Sequence, residues 1–276
     1  MKNKYLLITV VFFMLMGACT VLTDKNSNKI SIQLIRNATL KIDYNGTIFM
    51  VDPSLSPPKS FMSFVVPNEN LNPTVDLPLS IKNIVDNVDA VLLTHSHLDH
   101  FDQGAKDYLN SELPFFIQPT DKEVFSKGPF SNYSVVNEKT EFKNTSIIRT
   151  KGKHGPDALL EDLGQVSGYI LKAKSQPTIY IIGDCLFDAE IKETIREHQP
   201  AIIIANTGGA IWGESKILMD ENSVVELAKF TPTAKIIAVH MEALDHCKTT
   251  RKMVSEKAKN EQVDIVIPND GEILRF

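Results

Sequence analysis

Cysteine, tryptophan and runs of positive charge are all scarce in this chain, and each scarcity removes a class of protein. Three cysteines in 276 residues, at positions 19, 185 and 247, are too few to staple a small secreted scaffold with disulfides. Whether Cys185 and Cys247 pair is left open at this level. Lys and Arg number 29 against 34 Asp and Glu, a net charge of −5, and the basic residues form no run. Nucleic-acid affinity comes largely from phosphate neutralisation, so no nucleic-acid partner is expected. No apolar stretch reaches the roughly 20 residues that a transmembrane helix needs. Neither a short-period repeat nor a low-complexity segment interrupts the chain. What is left is 43% hydrophobic and 23% charged, and long enough for one large catalytic domain.

The N-terminus does not belong to that domain. Lys2 and Lys4 precede an apolar run over residues 5–16 and then the small residues Gly17 and Ala18, which is the pattern of a secretion signal. Met16-Gly17-Ala18-Cys19 resembles a bacterial lipobox, although Met16 stands where Leu is usual. On that reading Cys19 is lipidated and anchors an exported protein to a membrane, facing the periplasm or the cell exterior. Residues 1–19 are then the signal with its lipobox-like end, 20–29 a polar tether, and 30–276 the folded domain.

Apolar and polar residues alternate over 30–37, as in a half-buried strand. Two β-rich runs, 40–44 and 47–51, flank Asn45-Gly46, the pair that tolerates a type I′ turn, so a hairpin is expected. Prolines punctuate the following segment, which reads as a loop beside a site. From Asp89 short apolar strands alternate with amphipathic stretches. Strands are expected at 91–94, 145–150, 168–173, 178–182, 201–205, 235–239 and 263–268. Helices are expected after Asp102 and over 190–197, 222–230 and 250–260. Hairpins first and mixed units later suggest an α/β (α+β) fold with two mixed sheets flanked by helices.

Thr94-His95-Ser96-His97-Leu98-Asp99-His100 places three imidazoles and a carboxylate at the mouth of one of these strands. Such groups are good ligands for zinc and similar ions, and alternation points His95 and His97 the same way. The run matches the His-x-His-x-Asp-His motif and resembles the metallo-β-lactamase superfamily, with nearly all of residues 30–276 similar to that domain. The resemblance implies a four-layer αββα sandwich. It also implies that His154, in Gly152-Lys153-His154-Gly155, joins His95 and His97 on a first metal. Asp99 and His100 then hold a second metal with His240, and Asp184 bridges the two, which makes Asp99 and Asp184 the carboxylates at the chemistry. Two divalent ions are implied, zinc first and Mn²⁺ or Fe²⁺ as alternatives. They would lower the pKa of a shared water to about 7, so that hydroxide attacks an ester, lactone or phosphodiester of a small molecule.

Asp52 resembles the family's early bracing Asp, and Thr94 is a second candidate for orienting ligands. His246, close behind His240, is a candidate substrate contact, proton donor or surface residue. Gly208 and Gly209 offer backbone amides that could line a pocket, and Trp212, the single tryptophan, either covers that pocket or packs in the core. The acidic stretch 157–162 reads as a solvated loop. Asn206-Thr207-Gly208-Gly209-Ala210 and the phrase from Val239 to His246 are similar to the branch that includes ascorbate-6-phosphate lactonase. β-Lactam hydrolysis and a non-catalytic metal- or ligand-binding lipoprotein are the alternatives. Oligomeric state is not legible.

Overall fold

The computed structural model describes residues 29–65 and 69–276, so the expected signal, Cys19 and all of the tether but Lys29 lie outside the described residues. Strands β1 (Ser31–Arg36), β2 (Thr39–Tyr44) and β3 (Thr47–Val51) form an antiparallel meander. Asn45 and Gly46 close its hairpin with φ of 54° and 72°, both left-handed, as a type I′ turn requires. Strands β4 (Ala90–Leu92), β5 (Phe115–Ile117) and β6 (Tyr133–Val135) add in parallel beyond β3. The C-terminal strand, Ile273–Arg275, pairs with β1 and completes a seven-stranded sheet.

The second sheet begins as an antiparallel meander of β7 (Lys139–Phe142), β8 (Thr145–Gly152), β9 (Val166–Lys172) and β10 (Ile179–Ile181). It continues in parallel through β11 (Ile202–Asn206), apart from a small hairpin of β12 (Ile211–Trp212) and β13 (Ser215–Lys216). The strands β14 (Lys235–Val239) and β15 (Ile265–Val266) complete seven strands, and Ile273–Arg275 is β16.

Alternation decides which side chains meet. Ile202 and Ile204 of β11 with Ile237 and Val239 of β14 face Phe49, Val51 and Leu92 of the first sheet across one core. Their neighbours Ile203 and Ile236 point the other way, against Ile191 and Ile195 of α5 (Ala189–His198), Val224 and Leu227 of α6 (Glu221–Phe230) and Val254 of α7 (Arg251–Asn260). Strands covered on both faces carry unbroken apolar runs, which is why these were readable. Three short helices, α1 (Ile81–Val85), α2 (Gln103–Tyr108) and α3 (Lys122–Ser126), cover the outer face of the first sheet through Ile84, Ala105 and Phe125. The α4 turn (Leu160–Leu163) stands apart in a small cluster with Ile217 and Leu218. The result is the expected αββα order of layers.

Two expectations need correction. The strand expected over 263–268 is only Ile265–Val266, consistent with Pro268 having no N–H to give a ladder. The acidic stretch is not a loop but a 3₁₀ turn, Asp157–Leu159, running into α4. Cys185 and Cys247 are both free thiols. No helix among the described residues is long and apolar enough to cross a membrane.

Candidate metal centre

Parallel pairing brings the ends of β3 and β4 level, with Val51 beside Leu92, and the backbone N–H of Asp52 donates to Leu92 O at 3.1 Å. Asp52 turns there with φ of 45°, which aims its carboxylate back under the histidine turn. The Thr94 N–H and hydroxyl donate to it at 2.8 and 2.7 Å, and His100 Nδ1 lies 2.8 Å from Oδ2. Both His100 and Phe101 donate their N–H groups to His97 O, so the chain coils after Leu98 and carries Asp99 and His100 round to one side. From the second sheet, His154 follows β8, Asp184 follows β10 and His240 follows β14, so strands of both sheets deliver side chains to one end of the sandwich.

Two sets of donors result. One contains His95, His97 and His154, the other Asp99, His100, Asp184 and His240, and within each set the donor atoms lie within 4.8 Å of one another. The sets touch through Asp184, whose Oδ2 is 3.7 Å from His154 Nε2, 3.2 Å from His100 Nε2 and 3.5 Å from His240 Nε2. Its other oxygen accepts a hydrogen bond from Asn206 Nδ2 at 2.6 Å, which fixes the carboxylate's rotation.

Most of the rings are anchored on the nitrogen that faces away. His100 is held by Asp52, His154 Nδ1 donates to Ile217 O at 2.9 Å, His95 Nδ1 lies 3.1 Å from Thr94 Oγ1, and His240 Nδ1 lies 3.6 Å from Cys247 Sγ. An imidazole fixed in this way presents its other nitrogen as a metal ligand. His95 Nε2 and His97 Nδ1 face each other at 3.0 Å. His240 itself has φ of 65°, unusual for a residue with a Cβ, and its N–H donates to Asn37 O while Asn37 Nδ2 donates to Asp99 O.

Electrostatics fit the same occupant. Burial, reinforced by the neighbouring His100 and His97 rings, pushes His95 well below the usual imidazole range and so favours the neutral form that offers a lone pair. Burial also opposes ionisation of Asp99 and Asp184, yet His100 and His240 outweigh it and hold both carboxylates far below their ordinary range. The same pairing lifts His100 to about 10 against the cost of burial. Protons on His100 and His240 therefore balance charges that a divalent cation would balance when bound. A hard-and-borderline set of imidazole and carboxylate donors suits zinc, manganese or iron.

Beside the centre opens a cavity of about 340 Å³, lined by His97, Asp99 and His154 and by Phe64, Leu98, Leu163, Trp212, Ile217, Ser96, Asp162 and His246. His246 is thus at the cavity, not on the surface, and not within either donor set. Trp212 lies at the cavity and remains 44% exposed, so it is not core. Gly208 and Gly209 do not line the cavity. A Cβ on Gly208 would come 2.3 Å from His240 O and 2.7 Å from Cys247 Sγ, so the glycine allows close packing behind His240, while Gly209 N–H is spent on Met219 O. The sequence reading gave neither Asn37 nor Asn206 a part in the site, since a single Asn carries no pattern of its own; Asn206 stood only within the phrase quoted for the family branch, at the C-terminal end of an apolar strand.

Comparison with known proteins agrees with this geometry. Residues 47–241 match the family described as the Beta-lactamase superfamily domain. UPF0173 protein YddR of Bacillus subtilis is 37% identical over 254 residues, covering 89% of this chain and all of that protein. Among solved structures, a possible metal-dependent hydrolase from Veillonella parvula superposes with a TM-score of 0.85 at 33% identity, covering 90% of this chain and 99% of the other. Isothiocyanate hydrolase from Delia radicum gut bacteria gives 0.83 at 32% identity, covering 89% and 98%. With its histidine and aspartate sets on the shared ends of two sheets, the chain belongs to the metallo-β-lactamase superfamily, as a metal-dependent hydrolase.

Proposed function

We propose that the enzyme hydrolyses a small electrophile at a dinuclear metal site, the attacked atom being the carbon of an isothiocyanate, ester or lactone. The observation that carries this reading is the placement of Asp184 Oδ2 within 3.7 Å of donor nitrogens from both sets. His95, His97 and His154 would hold one ion, Asp99, His100 and His240 the other, and Asp184 both. Two divalent ions so held would supply an acidified water and polarise the electrophile.

The chain's own contribution is position. Asp52 and Thr94 orient His100 and His95, and apolar side chains line the cavity that opens beside them. His246 stands at the cavity, with Ser96, as a side chain that can contact the substrate's heteroatom. Isothiocyanates come first because the related enzyme of known activity is 32% identical over nearly its whole length. In that reaction the water oxygen bonds to the central carbon while one of its protons passes to nitrogen, and cleavage of the C–N bond, with the water's second proton also passing to nitrogen, yields a primary amine and carbonyl sulfide.

The test combines metal analysis with turnover of phenethyl isothiocyanate, an aryl ester, a lactone, a β-lactam and a phosphodiester. Native protein should carry about two ions per chain, and Asp184→Ala and His97→Ala should each lose metal and at least about 100-fold in activity. Unchanged metal content in both variants would reject the dinuclear site.

A further inference from the structure

The walls of the cavity say more about the substrate than the metal centre does. Outside the donor sets its lining is Phe64, Leu98, Leu163, Trp212 and Ile217, with Ser96, His246 and one acid, Asp162; among the described residues no Lys or Arg lines it. Trp212 and Leu98, 44% and 39% exposed, stand on the same cavity wall rather than scattered singly over the surface, so an apolar ligand there would cover both. A phosphorylated or carboxylated substrate needs a cationic or bidentate partner at its charged end. The metals can serve the reacting end only.

The wall is also built. Phe64 packs edge-on against His246, with ring centroids 5.0 Å apart at 81°. The residue next to His246, Asp245, ties down the segment that carries Phe64: it accepts from the Phe64 N–H at 3.2 Å, from Asn72 Nδ2 at 2.8 Å and from the Ser63 hydroxyl. His246 is therefore fixed against an aromatic face at the cavity, and Phe64 is held there by bonds from a different part of the chain.

We infer that this cavity selects a substrate whose far end is uncharged and apolar, of about the size of a phenyl or phenylalkyl group, and rejects those with an anionic far end. The inference rests on the proposed function only for placing the substrate here. It separates this enzyme from sugar-phosphate lactone and phosphodiester chemistry, which the branch resemblance alone would allow. Phe64, Leu98 and Trp212 are then the residues that determine specificity.

Trp212 is the only tryptophan of the chain and lines the cavity, so its fluorescence reports occupancy without any turnover. The zinc-loaded protein would be titrated with three inert amides that share one head: acetanilide, 4-acetamidobenzenesulfonate, whose sulfonate coordinates metals weakly, and 4-acetamidobenzylammonium. Acetanilide should bind at least about tenfold more tightly than either charged probe, and Phe64→Ala should weaken it about fivefold or more. Leu98→Ser, which leaves Phe64 in place, should weaken it in the same direction. Equal or tighter binding of the sulfonate overturns the inference, as does a preference for the ammonium probe, which would make Asp162 the recognition group. Because no hydrolysis is read, inactivity toward every substrate in the turnover panel would reject the proposed reaction and leave this ranking to be judged by itself.

Discussion

Asp52 belongs to neither donor set, yet three hydrogen bonds from Thr94 and His100 converge on its carboxylate. Its role is to fix the ring of His100 and the strand end before it. Replacing a carboxylate that orients a ligating histidine costs typically about 10–100-fold in metal affinity or activity. Asp52→Asn should therefore weaken binding of one ion by about that factor while His95, His97 and His154 keep theirs, measured by metal titration with stepwise chelation. Equal affinity of both ions in the variant would show that Asp52 only shapes the turn. At this scale the sequence was partly legible. The histidine run announced four of the donors because their spacing exceeds chance. His240 was preferred to His246 from its place behind the strand 235–239, and tertiary placement separates them by contact: the first meets Asp99 and Asp184, the second meets Phe64.

Helix α6 shows how one capping residue couples an element to pH. Asp220 precedes it and accepts from the N–H groups of Asn222 and Ser223 at 3.1 and 2.9 Å, while Lys216 pairs with its other oxygen. Burial raises its pKa, but the bonds from Lys216 and Ser223 prevail and leave it at about 2, below the ordinary 3.8. A folded value lower than the unfolded one stabilises the native state fully above about pH 4 and loses that contribution as pH falls toward 2. Chemical denaturation between pH 5 and 2 should accordingly show a shallower fall for Asp220→Asn than for the native protein, and identical slopes would mean that the cap carries no charge-linked stability. Elements with such caps and a clear apolar face, α5, α6 and α7, were readable in advance within a residue or two. Strands β5, β6 and β7 were not, since three or four residues cannot display a period and their pairing is set by neighbours distant in sequence.

Across the whole molecule, the metal centre is the place where the two sheets meet. His95 to His100 and Asp52 extend from the first sheet, and His154, Asp184 and His240 from the second, with Tyr169 of β9 donating across the gap to Leu93 O at 3.0 Å. Metal bound there would staple one sheet to the other and stabilise the native state alone. At 100-fold excess over Kd that is worth about 2.7 kcal/mol, or about 5–10 °C in Tm for a domain of this size. Chelation should lower Tm by that order and zinc should restore it, whereas Asp184→Ala should respond much less; a Tm indifferent to chelator would mean that the sheets do not depend on the site. What the sequence determined by itself was local: the turn at Asn45-Gly46, the apolar runs of doubly covered strands, and a histidine cluster too dense to be incidental. Such features follow from steric and hydrophobic rules that act over a few residues. The tertiary structure alone decided that Asn206 fixes the carboxylate of Asp184, that Gly208 backs His240, and that Phe64, Trp212 and His246 line one cavity. Each of those is a contact between segments far apart in the chain, fixed by how the two sheets pack and by no pattern within any one segment.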